Sequence, residues 1–305
     1  MMILGVPKEI TNNETRISVI PFTVKQFIAA GFKVVVQSNA GLASQISDSD
    51  FKESGAEIVS SASDVFEKSD MILKVNSPTN EEIQMIKDGS SYLSFFQTMK
   101  ETDKVIALQK KNITAYSMHL IPRTTLAQKM DALSSQSNIA GYKASIIGAD
   151  HISKYMPLLM TAAGTIKPAK VLILGAGVAG LAAIATSKRL GAQVYAFDVR
   201  PVVKEQVESL GAKFIEVESE TDEGTGEGGY AKEVSEEYKR RQGELIKSTV
   251  KEMDLIITTA LIPERPAPIL IDIEMVESMQ PGSAIIDLAA LNGGNCELTQ
   301  KDEII

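Results

Sequence analysis

The residues best suited to chemistry are Gly175-Ala176-Gly177-Val178-Ala179-Gly180. They follow an apolar run at 171–174 and open a helical stretch over 181–190. In that setting, three glycines at this spacing form a dinucleotide fingerprint. The first makes a tight turn, the second lets a pyrophosphate approach the backbone, and the third lets helix and strand pack closely. The helix start contributes unpaired N–H groups and the positive end of a dipole. The next strand runs over 193–197 and ends in Asp198, 18 residues beyond Gly180, close to the ~20 expected of a ribose-binding acid. A carboxylate there accepts from ribose hydroxyls and repels a 2′-phosphate, which favours NAD(H) over NADP(H). Arg200, beyond Val199, could instead meet a phosphate. Two more loops belong to the same cleft, Thr258-Thr259-Ala260-Leu261-Ile262-Pro263 and Asp287-Leu288-Ala289 running on to Asn292-Gly293-Gly294-Asn295. Their small residues and hydroxyls suit contact with a ribose or nicotinamide. Ordinary loop chemistry explains them equally, and spacing alone does not choose.

The elements that must position these residues alternate along the chain. Strands are expected at 3–6, 33–37, 71–75, 92–96 and 113–117, with helices at 24–30, 50–54 and 103–111 between them. A second set of strands follows at 170–174, 193–197, 213–216, 255–258 and 284–288. Strand, helix, strand at this spacing implies parallel pairing through right-handed crossovers. The fold class is therefore α/β, with two doubly wound Rossmann-like domains of parallel sheets joined by a long bridging helix. The expected divisions are an N-terminal α/β domain over 1–125, a junction loop and bridging helix over 126–165, and a dinucleotide-binding domain over 166–305. The bridging helix is expected over 134–152, where apolar residues recur at roughly helical spacing. The apolar Ile304-Ile305 ending leads to the expectation of a boundary within a larger protein.

Composition narrows the function classes. The chain has 305 residues, 31 basic and 39 acidic, for a net charge of −8. So acidic a surface does not condense onto phosphate backbone, so no nucleic-acid partner is expected. No apolar run nears the ~18 residues of a membrane span, and no signal peptide is recognisable at 1–7. One cysteine, Cys296, cannot form an internal disulfide and fits a reducing compartment. The two histidines, His119 and His151, are not at metal-ligand spacing, so no metal is expected. Residues 218–229 are acidic, glycine-rich and nearly without apolar side chains. They are expected to form a mobile loop, with a plain surface insertion as the alternative.

A family resemblance rests on these residues and on a further segment, from Arg123 through Gln128 and Asp131 to Ser134 and Ser135. Together with 5–9, 14–16, 73–76, 160–164, 204–209, 228–232, 258–263 and 286–296, they make the whole chain resemble one family. It is the NAD(H)-binding first domain, or alpha subunit, of proton-translocating NAD(P) transhydrogenase, within the alanine dehydrogenase/transhydrogenase family. The resemblance implies Re/Si-specific hydride transfer between NADH held here and NADP+ held on a partner domain or subunit. Proton translocation would be coupled through a separate membrane domain. It further implies a homodimer, a cytoplasmic or matrix-side location peripheral to an energy-coupling membrane, and a chain that continues past Ile305 to complete the first domain. It assigns Arg123, Gln128, Asp131 and Ser134 to the nicotinamide side. Cofactor contacts fall to 175–180, Asp198, Val199, Arg200, Gly229, Tyr230, Thr259, Ala260, Leu261, Leu288 and Ala289, with the 218–229 segment as a closing loop that carries Tyr230. Direct hydride transfer asks for two rings held at near-contact distance rather than for a protein acid or base, so the four nicotinamide-side residues are given positioning roles. Asp131 and Ser134 also read as the start of a helix.

Alanine dehydrogenase shares much of this pattern, and its substrate-carboxylate residues have counterparts in Arg16 and Lys74. Its proton-accepting histidine and aspartate correspond here to Gln97 and Leu291, neither of which takes up a proton near neutral pH. Arg16 and Lys74 are then expected in structural ion pairs. A NAD(H)-sensing module without catalysis is the third reading.

Overall fold

Three helix starts in the first half of the chain are written as hydroxyl–acid pairs three residues apart. Ser47 with Asp50, Ser61 with Asp64, and Thr79 with Glu82 each form a reciprocal capping box, the hydroxyl accepting from the third helical N–H and the carboxylate from the cap N–H. The computed structural model describes residues 1–217, 236–262 and 265–305. It divides into two units, Met1–Asp131 and Ala132–Ile305.

In the first unit, strands β1 (Ile3–Val6), β2 (Lys33–Gln37), β3 (Glu57–Val59), β4 (Met71–Asn76), β5 (Ser91–Phe95) and β6 (Thr114–Ser117) form one sheet. Its order is β3-β2-β1-β4-β5-β6, and every pairing is parallel. Side chains alternate across it as pleating requires: Val34 and Val36 enter one buried apolar cluster and Val35 the other.

The second unit begins with the helix Ala132–His151 and the antiparallel hairpin of β7 (Leu159–Thr161) and β8 (Gly164–Ile166). A sheet of β9 (Lys170–Leu174), β10 (Gln193–Phe197), β11 (Lys213–Ile215), β12 (Leu255–Thr258) and β13 (Ala284–Asp287) follows, in the order β11-β10-β9-β12-β13 and again all parallel. Val171 and Ile173 face one apolar cluster, Leu172 and Leu174 the other. The doubly wound parallel architecture expected from the strand–helix alternation is thus present in both units. The hairpin was not foreseen. Its three-residue strands are exposed throughout and carry no burial period to read.

A long helix, Ala132–His151, covers the span expected over 134–152, and all of it falls in the second unit. Its buried stripe also differs from a large-apolar face. It consists of Gly141, Ala144, Ser145 and Gly148, while Ile139 and Tyr142 are exposed. The small residues permit very close approach to the fingerprint helix Val178–Arg189. A Cβ on Gly141 would lie 2.0 Å from the Ala179 carbonyl oxygen, and Ser145 Oγ donates to the Ala183 carbonyl at 3.1 Å. This packing holds the helix whose first turn follows the glycine loop.

Candidate functional site

Register brings the predicted site together. Leu174 pairs with Phe197 on one side and Thr258 on the other, and Thr258 pairs with Asp287. The residues that follow these positions, Gly175, Asp198, Thr259 and Leu288, therefore share one carboxyl edge. Backbone bonds tie three of them to the neighbouring strand: Gly175 N–H to Phe197 O at 2.8 Å, Thr259 N–H to Leu174 O at 2.8 Å, and Leu288 N–H to Thr258 O at 2.9 Å. The strand order reverses at β9, between β10 and β12, which is where open α/β sheets accept ligands.

Each fingerprint glycine has its own reason to lack a side chain. Gly175 adopts φ +99°, and a Cβ there would sit 2.6 Å from Thr259 Oγ1. At Gly180 a Cβ would lie 1.8 Å from the Gly175 carbonyl oxygen, an overlap no side chain survives without moving the turn. Gly177 caps the helix Val178–Arg189, and a Cβ on it would meet nothing nearer than the Arg200 guanidinium, at 4.0 Å. Two glycines are close-packed and the middle one faces open space, as an anion approaching the backbone needs.

Asp198 is buried beside this loop. Its Oδ2 accepts from Ala176 N–H and Arg200 Nη2, both at 2.7 Å. Its Oδ1 accepts from Arg200 N–H and Nε, both at 2.9 Å. The ribose-binding acid and the arginine two residues on, read separately in the sequence, form one bidentate pair. Donating to the Asp198 carboxylate raises the already high Arg200 pKa further.

In the remaining cleft loops the hydroxyls and amides bond within the protein. Thr258 Oγ1 donates to Asp287 Oδ1 at 2.9 Å, and Thr259 Oγ1 to the Gly175 carbonyl at 2.9 Å. Both hydroxyl protons are therefore spent inside the protein, and the threonines hold the loop rather than offer donors outward. Ala260 is held likewise: its N–H donates to Asn295 Oδ1, and Asn295 Nδ2 donates back to its carbonyl, each at 2.9 Å. Leu261 is the half-exposed apolar side chain of this segment, and Pro263 lies outside the described residues. Asn295, wholly buried, and Asp287 stand in the predicted cleft loop, but neither had a role of its own assigned from the sequence. Asp287 accepts from Thr258, Ala289 N–H, Asn295 N–H, Cys296 N–H and Thr299, which locks the last loop to the sheet. An acid ending a strand before a Gly-Gly-Asn run was the available signal. Burial pushes the neighbouring Cys296 thiol up, making it a weak nucleophile.

The predicted nicotinamide-side residues lie at the end of the first unit and the start of the second. Arg123, Thr124, Thr125, Gln128 and Asp131 line a polar cavity of about 260 Å³. Asp131 directly precedes the helix Ala132–His151, and Ser134 lies in its first turn. Gly229, Tyr230 and the segment 218–229 lie outside the described residues.

The carboxyl edge of the first unit is built on charges. Lys74, nearly fully buried, has its Nζ 2.5 Å from Glu82 Oε1 and 3.8 Å from Glu9 Oε2. Glu9 also accepts from the Val75 and Asn76 N–H groups beyond the middle of β4. Arg16 pairs with Glu14 at 2.7 Å. Burial disfavours the charged Glu14, but hydrogen bonds from Arg16 and Asn76 outweigh it and lower its carboxyl to about 2. Gln97 N–H donates to Glu101, and Leu291 is largely exposed. His119 stacks edge-on against Phe95, and burial lowers its pKa.

Comparison with known proteins follows the same two-part division. Residues 5–140 match the family model described as alanine dehydrogenase/PNT, N-terminal domain, and residues 144–305 match the corresponding C-terminal domain. The chain is 49% identical over 304 residues to NAD(P) transhydrogenase subunit alpha of Haemophilus influenzae. It is 43% identical over 305 residues to NAD(P) transhydrogenase subunit alpha of Cereibacter sphaeroides. Both matches take in 100% of this chain, which spans 59% of the length of the first relative and 58% of the second. A crystal structure of transhydrogenase from Sinorhizobium meliloti superposes with a TM-score of 0.87 at 43% identity, covering 97% of this chain and 80% of that one.

Proposed function

The chain belongs to the alanine dehydrogenase/PNT family, and from that premise we propose that it is the NAD(H)-binding component of a proton-translocating NAD(P) transhydrogenase. It holds NADH while hydride passes directly to NADP+ on a partner domain, with proton movement in a separate membrane domain. The observation that carries this reading is the contrast between the two carboxyl edges. In the second unit the Gly177 face is open and backed by helix N–H groups, which fits a dinucleotide pyrophosphate. In the first unit the two cations that could seize an oxo-acid carboxylate, Arg16 and Lys74, already face Glu14, Glu9 and Glu82. That argues against alanine dehydrogenase chemistry, as do Gln97 and Leu291 in place of proton acceptors.

When bound, the nicotinamide ring supplies the hydride. The chain's residues orient and exclude. The glycine loop and helix start hold phosphate. Asp198 sets the adenosine end and disfavours a 2′-phosphate. The Asp287–Asn295 clamp fixes the 258–262 loop and with it Leu261, Leu288 and Ala289 as ring-side contacts. Arg123, Gln128 and Asp131 take positioning roles around the polar cavity, and Ser134 is given the same role from the first turn of the helix Ala132–His151. Among the described residues no helix is long and apolar enough to cross a membrane, consistent with a peripheral component on the cytoplasmic or matrix-side face. A homodimer is proposed on two exposed apolar features of the second unit, Ile139 and Tyr142 on the first helix and Leu159, Met160 and Ile166 on the hairpin. An isolated two-stranded hairpin is marginal in water and gains from being covered.

The test mixes the chain with an NADP(H)-binding transhydrogenase domain and follows hydride exchange between the two nucleotides. Exchange is expected, and Gln128→Ala should slow it while NADH affinity stays the same. Binding without exchange would support a sensor instead. Consumption of NADH with pyruvate and ammonia would restore alanine dehydrogenase.

A further inference from the structure

The adenosine end of the site holds more donors than a ribose could tolerate. A carboxylate offers about four lone-pair directions, and Asp198 receives four donors from its own chain: Ala176 N–H, Arg200 N–H, Arg200 Nε and Arg200 Nη2. A ribose diol can dock there only by displacing some of them. The two backbone donors are fixed by the turns that follow β9 and β10. The guanidinium is the movable one, and on leaving the buried carboxylate it exchanges that partner for another anion. That anion has an obvious place. Arg200 Nη2 is the nearest atom to the open side of Gly177, 4.0 Å from where a Cβ would stand, the face of the fingerprint that a pyrophosphate approaches.

We propose that Arg200 is an exchangeable partner: it occupies Asp198 in the empty site, yields that carboxylate to the adenosine ribose, and transfers its guanidinium to the pyrophosphate. The inference rests on NAD(H) binding at this edge and adds how the site selects for it. A guanidinium fork matches carboxylate and phosphate equally well, so both states of the exchange keep two parallel charge-assisted bonds. The consequence is recognition of the whole dinucleotide. A ligand with ribose but no phosphate must break the ion pair without replacing it. A ligand with phosphate but no ribose finds the arginine already engaged.

The experiment compares adenosine, ADP and NADH binding to the 305-residue chain and its variants, each by competition against NADH fluorescence. Arg200→Ala is expected to weaken ADP about tenfold, the loss of charge-assisted bonds, and to tighten adenosine about threefold or more because Asp198 is released. Asp198→Asn is expected to act in the crossed sense, weakening adenosine about tenfold and raising the ADP-to-adenosine affinity ratio. If Arg200→Ala fails to fold by circular dichroism, Arg200→Lys carries the test. A lysine reaches phosphate as a point charge but cannot grip both carboxylate oxygens, so adenosine again tightens while ADP stays within about threefold. Equal weakening of adenosine and ADP by Arg200→Ala would make the arginine a fixed strut and overturn the exchange, as would no change in either. If the unaltered chain binds neither ADP nor NADH, the dinucleotide reading itself falls. If it binds both and the variants show no crossed pattern, only the exchange falls.

Discussion

The two units wind their sheets alike, the second and third strands to one side of the first and the later ones, three in the first unit and two in the second, to its other side, yet they treat the carboxyl edge differently. After β9 the chain places glycines: Asp198 takes the Ala176 N–H, and the face of Gly177 stays open. After β1 it places Pro7-Lys8-Glu9, and the Glu9 carboxylate folds onto the Val75 and Asn76 N–H groups. Both edges thus carry an anion on backbone N–H groups, and the second keeps an open glycine face beside it. Lys74 and Glu82 complete the plug, with Glu82 serving twice, once on Lys74 and once as the cap of its own helix. One topology builds either a binding edge or a sealed one, and the side chains in the first turn after the central strand decide which.

The contrast is most severely strained by Lys74→Met. It strands Glu9 and Glu82 in a buried setting, and removal of one partner from a buried ion pair costs about 3–5 kcal/mol. Urea unfolding should show that loss, while the folded fraction keeps its NADH affinity. A cost below about 1 kcal/mol would mean that the edge is not sealed by charge. On the open edge, Asp198→Ala should weaken NADH by about 1.5–3 kcal/mol, the value of charged hydrogen bonds, as read by calorimetry. Gly180→Ala drives a methyl into the Gly175 carbonyl and should destabilise the chain by about 1–3 kcal/mol. It should also weaken NADH at least tenfold by displacing the turn; unchanged affinity would detach the glycine loop from binding.

The mildest effect belongs to Glu14. Its carboxyl is lowered from 4.5 to about 2 in the folded chain, so the unfolded chain binds the proton more tightly. The resulting stability is complete above about pH 4.5 and drains away as pH falls toward about 2. Urea midpoints across that window should fall less steeply in Glu14→Gln than in the unaltered chain.

The glycine fingerprint, the acid closing β10 and the alternation of strands and helices were all legible, because each is a local pattern whose backbone consequence is nearly obligatory. The hairpin of β7 and β8 left no such trace. The long helix of the second unit was placed to within about two residues at each end. Its buried face was not legible, because Gly141, Ser145 and Gly148 do not look like a core until another helix lies against them. For the threonines of the 258–262 loop the sequence left ligand contact and ordinary loop chemistry both open, and only the fold shows which groups their hydroxyls bond.

What could be read from residue order is backbone conformation: where φ must be positive, where a helix begins, which positions alternate into a core. Which polar group satisfies which is a different kind of information. Thr259 reaches Gly175 across 84 residues, Asn295 reaches Ala260 across 35, and Glu9 reaches Val75 across 66. Such pairs exist only once the sheets have set strand ends side by side. Hydrogen bonds act over about 3 Å, so the identity of the open edge was written in the chain, but its wiring came from the packed fold.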